Sequence, residues 1–238
     1  MRIGMQTALA QLYGRLLNLE GLVERILDRS VEALKARDTN LAETAIASDD
    51  EIDDLSKSIE EQATELIALH QPVGSDLRRI IGTIRVTIDL ERVADLAVNI
   101  AETVPELARQ PLLKPLIDIP RMMRIAQQML HDGLNALRDD DCELARQVCL
   151  RDEEIDALNM QIFRELVSFI TEDPRTTSRA IPLLFVARHL ERIGDHATNI
   201  AEMVFYQKTG QRVRLRDIMA EAKAEGPQPP AGDSGGLA

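Results

Sequence analysis

Apolar residues return at i, i+3 and i+4 spacing from about residue 6 to 37, which predicts an amphipathic helix ending near Asp38-Thr39-Asn40. A second helix runs from about 40 to 70 and stops at His70-Gln71-Pro72-Val73-Gly74. The third, about 75–106, is apolar on most sides (Ile80, Ile81, Ile84, Val86, Ile88, Leu90, Val93, Leu96, Ile100), the pattern of a central helix. Pro105, Pro111, Pro115 and Pro120 punctuate the junction that follows. The plan then repeats, with helices at about 118–139, 141–171 and 176–208 and a breaker at Glu172-Asp173-Pro174. Sustained period-2 alternation is missing, so no sheet is expected. From about Ala222 the chain holds Gly226-Pro227-Gln228-Pro229-Pro230 and reads as disordered.

The repetition extends to the letters. Residues 89–102, DLERVADLAVNIAE, and 189–202, HLERIGDHATNIAE, share nine of fourteen positions at an offset of 100. Upstream, DDEIDDL at 49–55 matches DEEIDAL at 152–158, and ALKARDTNLA at 33–42 matches ALRDDDCELA at 136–145, both at an offset of 103. The change of offset belongs in the turn between the second and third helices, where length is free to vary. The expected fold is all-α: two tandem pseudo-symmetric three-helix bundles with six long helices. The first unit spans 1–110, the second 116–212, and a disordered tail 222–238.

Composition narrows the class. With 3% aromatic residues and no Trp, the core must be aliphatic, which suits helix-on-helix packing. A net charge of -12 argues against nucleic acid as the main partner and against adhesion to an anionic membrane surface. Cys142 and Cys149 are seven residues apart, about 10 Å along a helix and too far for a disulfide. Two reduced, largely buried thiols are expected, as in a reducing compartment. The opening residues show no signal-peptide core, and the longest uncharged apolar run, Ala180–Ala187, is too short to span a bilayer. The expected location is the cytoplasm.

The carboxylates carry the candidate chemistry. Glu91, Asp95, Asn99 and Glu102 fall within about 80° of arc on the third helix, as do Glu191, Asp195, Asn199 and Glu202 on the sixth. On the preceding helices, Asp49 and Asp53 are one turn apart, and so are Asp152 and Asp156. Residue 72, in the turn, lies midway between Asp53 and Glu91 and also between Asp49 and Asp95; the second unit centres in the same way beside Pro174. An antiparallel hairpin therefore brings four acids to one height in each unit, although periodicity leaves their facing open. Four clustered carboxylates need raised pKa values, nearby Arg or bound metal. All-oxygen ligation suits Mg, Ca, Mn, Fe or, less typically, Zn, and the alternative is a surface acidic stripe salt-bridged to Lys and Arg.

LERVADLAVNIAE and LERIGDHATNIAE, each with an upstream D-x-x-x-D, resemble the PhoU family of phosphate-transport accessory proteins. The resemblance covers about residues 10–210 and includes the turn Pro72-Val73-Gly74-Ser75-Asp76-Leu77-Arg78. It implies two three-helix bundles side by side. It also implies multinuclear iron or zinc clusters on Asp49, Asp53, Glu91 and Asp95, and on Asp152, Asp156, Glu191 and Asp195. The first motif reads Val93-Ala94-Asp95-Leu96 where the second has Ile193-Gly194-Asp195-His196, so the two sites need not be equal. The implied function is negative regulation of phosphate uptake and phosphate-starvation signalling. The implied partners are the phosphate ABC transporter's ATPase subunit and a phosphate-sensing histidine kinase, with the chain itself a homodimer and not an enzyme.

Two alternatives stay open. One is a carboxylate-bridged metal enzyme; bundles of that class use Glu-x-x-His pairs, and the residues three before His70, His131, His189 and His196 are Ile67, Gln128, Val186 and Ile193. The other is a metal-free helical adaptor whose acidic stripes meet basic partners. His196 is expected to be a buried, hydrogen-bonded residue with an occasional ligand role, and His131 and His189 carry no motif.

Overall fold

The computed structural model describes residues 2–214 together with 217 and 218, with side chains from Gly4 onward. The tail at 222–238 lies outside the described residues. Those residues form eight α-helices, one 3-10 turn and no strand. Helix α1 (Arg2–Ala36) buries Leu12, Leu16, Leu19, Val23, Ile26, Leu27 and Leu34 completely or nearly so. Each such side chain contributes about 2 kcal/mol over leaving it in water.

The connection out of α1 has the same chemistry in both units. Arg37 (φ 58°) and Asp140 (φ 53°) end the first and fourth long helices in the left-handed region. The next residue caps the following helix: Asp38 Oδ1 accepts from the N–H groups of Asn40 (2.9 Å) and Leu41 (3.1 Å). Asp141 Oδ1 likewise accepts from Glu143 (2.9 Å) and Leu144 (3.1 Å). These caps satisfy amides that the first turn leaves free.

The expected continuous helix over 40–70 is broken in two, α2 (Thr39–Ile46) and α3 (Asp49–His70). At the break, Ser48 N–H turns to the Ala45 carbonyl (3.1 Å), and Ser48 Oγ donates to the Thr44 carbonyl (2.8 Å). Arg29 Nη1 donates to the same Oγ at 2.9 Å, fixing it. The hydroxyl competes with the helical ladder. The restart puts Asp49, Asp50 and Glu51 in the first turn of α3, where the helix dipole favours acids. In the second unit the equivalent helix, α7 (Cys142–Glu172), runs unbroken.

Helix α4 (Ser75–Glu102) also stops short of the expected 106. Thr103 Oγ1 bonds the Ile100 carbonyl (2.7 Å), and α5 (Val104–Leu107) follows with Pro105 in its first turn. The second unit comprises α6 (Asp118–Asp139), α7, a 3-10 turn at Pro174–Thr176 and α8 (Thr177–Thr209).

Helices α4 and α8 pack on each other and on the first helix of their own unit, so both occupy the centre, as their all-round apolar character requires. One apolar core runs through both units. A buried side chain, Gln207 of α8, ties the two units at one end. It accepts from Tyr13 Oη (2.9 Å) and donates to the Leu137 carbonyl (3.0 Å) and Asp140 Oδ1 (2.6 Å). Arg79 pairs with Asp140, and Arg78 Nε bonds the Gln207 carbonyl at 3.1 Å. Cys142 is partly buried and Cys149 fully, both as free thiols; burial, with Glu202 and Asp152 adding, pushes Cys149 up to about 12.

Candidate metal quartets and an exposed apolar groove

In the first unit, Asp49 and Asp53 come from the N-terminal turns of α3, and Glu91 and Asp95 from the middle of α4. Asp49 is partly buried, its Oδ1 shielded and without a hydrogen-bond partner. Burial first, then the carboxylates of Asp53, Asp95, Asp50 and Glu91, push Asp49 up to about 6. Glu91 is also raised, chiefly by burial, with Arg92 opposing and Asp53 and Asp95 adding. Acids of α3 and α4 thus lie near enough to raise one another's pKa values.

In the second unit Asp152 is 8% exposed in the middle of α7. Burial, then Asp156, Asp195 and Glu191, push it up to about 7. Burial also raises Glu191, with Asp195 and Asp156 adding and Arg188 opposing. Asp195 is raised by burial, with Arg188 opposing and Asp156 adding. Gly194 permits this depth. A Cβ there would meet Ile155 Cδ1 at 3.0 Å and Asp152 Oδ1 at 3.2 Å. The first unit has Ala94 at the same place, and its Asp49 is correspondingly shallower.

Arginine relieves part of the charge. Arg92 Nη1 donates to Asp95 Oδ2 at 2.8 Å, and Arg188 pairs with Glu191. Both pairs are i,i+3 on one helix and were legible as spacing. Glu191 Oε2 nevertheless remains shielded without a partner. The residues fit a hard or borderline cation: all donors are oxygens, and each quartet carries a shielded carboxylate oxygen without a hydrogen-bond partner, Asp49 Oδ1 in one and Glu191 Oε2 in the other. Among the described residues, three ligand atoms close to within 4.8 Å only at Glu20, Glu24 and His131, not in either quartet. Neither quartet brings three ligand atoms that close together.

His196 is partly buried and hydrogen-bonded, its Nδ1 2.8 Å from Asp89 Oδ1 across the α4–α8 contact. Asn199 Nδ2 donates to the same oxygen at 3.1 Å.

Beside the second quartet lies a groove of about 540 Å³ between α7 and α8, lined by Met160, Phe163, Ile181, Leu184, Phe185 and Arg188. Phe163 is 50% and Phe185 56% exposed. Sequence reading missed it. Aligning the repeats would have found it, because positions 57, 60 and 85 of the first unit hold Lys, Glu and Arg where the second has Met160, Phe163 and Phe185. Arg188 joins groove to quartet, lining one and pairing with an acid of the other.

The PhoU domain family model matches residues 16–104 and again 119–204. A "Phosphate-specific transport system accessory protein PhoU homolog" of Clostridium acetobutylicum is 37% identical over 213 residues, 89% of this chain and 97% of that protein. Its namesake in Rhizobium meliloti is 41% identical over 209 residues, 86% and 88% of the two chains. The crystal structure of PhoU from Pseudomonas aeruginosa superposes with a TM-score of 0.82 at 35% identity, covering 87% of this chain and 99% of that one. The phosphate transport system regulatory protein PhoU from Streptococcus pneumoniae gives 0.82 at 29%, covering 88% and 99%.

Proposed function

This chain belongs to the PhoU family, and from that premise we propose that it is an accessory regulator of phosphate transport. It acts in the cytoplasm by binding, not by catalysis, restraining uptake and phosphate-starvation signalling. Its partners are the ATPase subunit of a phosphate ABC transporter and a phosphate-sensing histidine kinase. The relatives are named accessory proteins, and no helix of the described residues is long and apolar enough to cross a membrane.

The observation that carries the binding part is the α7–α8 groove. Two of the four Phe residues of a chain poor in aromatics are half exposed there, side by side. A contiguous exposed apolar patch rimmed by charge marks a protein contact. We assign it to the transporter's ATPase subunit. The quartets give that face its rigidity. Asp152, Asp156, Glu191 and Asp195 would hold a multinuclear iron or zinc cluster in the second unit, and Asp49, Asp53, Glu91 and Asp95 one in the first. When bound, the metal supplies the positive charge that the carboxylates lack. The acids then pin α7 to α8, and Arg188 is held between Glu191 and the groove.

The test is binding of the purified ATPase subunit to wild type and to Phe163→Ser with Phe185→Ser. The double variant loses at least about tenfold in affinity, as expected for two aromatic anchors, while its helicity is unchanged. Unaltered affinity removes the groove from the transporter contact. If sedimentation instead shows that a dimer dissociates in the variant, the groove is the contact between copies of this chain.

A second reading, the metal-free adaptor, draws on the Arg92–Asp95 and Arg188–Glu191 pairs, which already neutralise part of each quartet. Metal content separates the two.

A further inference from the structure

Away from both quartets, three potential ligands meet where the two units touch: Glu20 and Glu24, one turn apart on α1, and His131 on α6. One donor atom from each lies within 4.8 Å of the other two. Glu20 is only 7% exposed, and its Oε1 is shielded without a hydrogen-bond partner. His131 Nδ1 is 3.3 Å from that oxygen, in ion-pair range but without hydrogen-bond geometry. The separation matches a coordination edge, since two donors each about 2.1 Å from a tetrahedral ion are about 3.4 Å apart.

We propose that Glu20, Glu24 and His131 form a mononuclear site for a divalent transition-metal ion such as zinc, which ties α1 to α6 across the boundary between the units. Two carboxylates and an imidazole are the mixed oxygen–nitrogen donor set such ions take, with water completing the shell. Glu20 anchors the site from the buried side, and the exposed His131 ring gives the ion its way in.

The repeat supplies an internal control. At the offset of 103, Glu20, Glu24 and His131 correspond to Met123, Gln127 and Asp28. There Gln127 Nε2 donates directly to Asp28 Oδ1 at 3.0 Å, and Met123 packs against the core. The pseudo-equivalent place is taken by a hydrogen bond and an apolar side chain, so among the described residues the trio occurs once, independent of the quartets.

The probe is zinc chloride titrated into the full chain, read by calorimetry and by the imidazole NMR signals, with His131 assigned through His131→Gln. Zinc shifts the His131 ring signals, and both His131→Gln and Glu20→Gln bind about one ion per chain fewer than wild type. Variants changed only in the quartets, such as Asp53→Asn with Glu191→Gln, keep the His131 shift. His131→Gln alters an exposed ring and Glu20→Gln removes a buried charge, so both fold without metal, which circular dichroism verifies. His131 signals that do not move at saturating zinc, or zinc counts in both variants equal to wild type, would show that the trio is a plain histidine–glutamate pair and overturn the proposal.

Discussion

Every group that shifts Asp152 pushes the same way: burial, then Asp156, Asp195, Glu191 and Glu153 all raise its pKa. An acid whose folded-state value lies above its unfolded value binds the proton more tightly when folded. Its contribution to stability is therefore present below the unfolded value of 3.8 and is lost as pH rises toward about 7. In metal-free protein, Asp152→Asn should gain on the order of 2 kcal/mol at pH 8 and flatten the stability profile between roughly pH 4 and 7. Denaturant melts across that range check it, and a steeper profile in the variant would refute it. Glu91→Ala with Asp95→Ala separates the two states of the first quartet. It should raise the melting temperature of metal-free protein and lower that of metal-loaded protein, together with partner binding. The acids themselves were readable because i,i+4 spacing and equal distance from the turn are properties of the letters. The Glu20–Glu24–His131 trio was not, because His131 lies 107 residues beyond Glu24 and only the crossing of α1 and α6 joins them.

Helix spacing decides how deep each quartet sits. Gly194 lets α7 approach α8 until Ile155 and Asp152 touch its backbone face. Gly194→Val should cost about 1–3 kcal/mol by overpacking that contact. Gly14→Ala, at a helical position with nothing within 4 Å, should gain up to about 1 kcal/mol. Thermal melts of the pair distinguish a packing requirement from a general intolerance of change. The six long helices and both breakers were legible because Pro72, Pro174 and the apolar period mark them directly. The break at Ala47-Ser48 was not, because it depends on Arg29, nineteen residues away, holding the Ser48 hydroxyl. The end of α4 at Glu102 was blurred for a similar reason: Val104 and Leu107 continue the apolar pattern into the short α5.

At the scale of the whole molecule, the two units are alike in backbone and unlike in surface. Both carry a quartet, yet only the second carries the groove, and only one side of the α1–α6 crossing carries the carboxylate–histidine trio. Gln207 joins the units by hydrogen-bonding Tyr13 on α1 and Leu137 and Asp140 at the end of α6. Gln207→Leu should therefore cost about 2–3 kcal/mol, more than one ordinary hydrogen bond, because it strands the Leu137 carbonyl and leaves Asp140 Oδ1 without its donor. Denaturant midpoints measure it. The central claim is that the paired acids of adjacent helices are cation sites. Elemental analysis of the full chain purified without chelator tests it most directly. The account predicts iron or zinc at about two or more ions per chain, most of it lost when Asp53, Glu91, Asp156 and Glu191 become amides; less than about 0.2 ion per wild-type chain would contradict it.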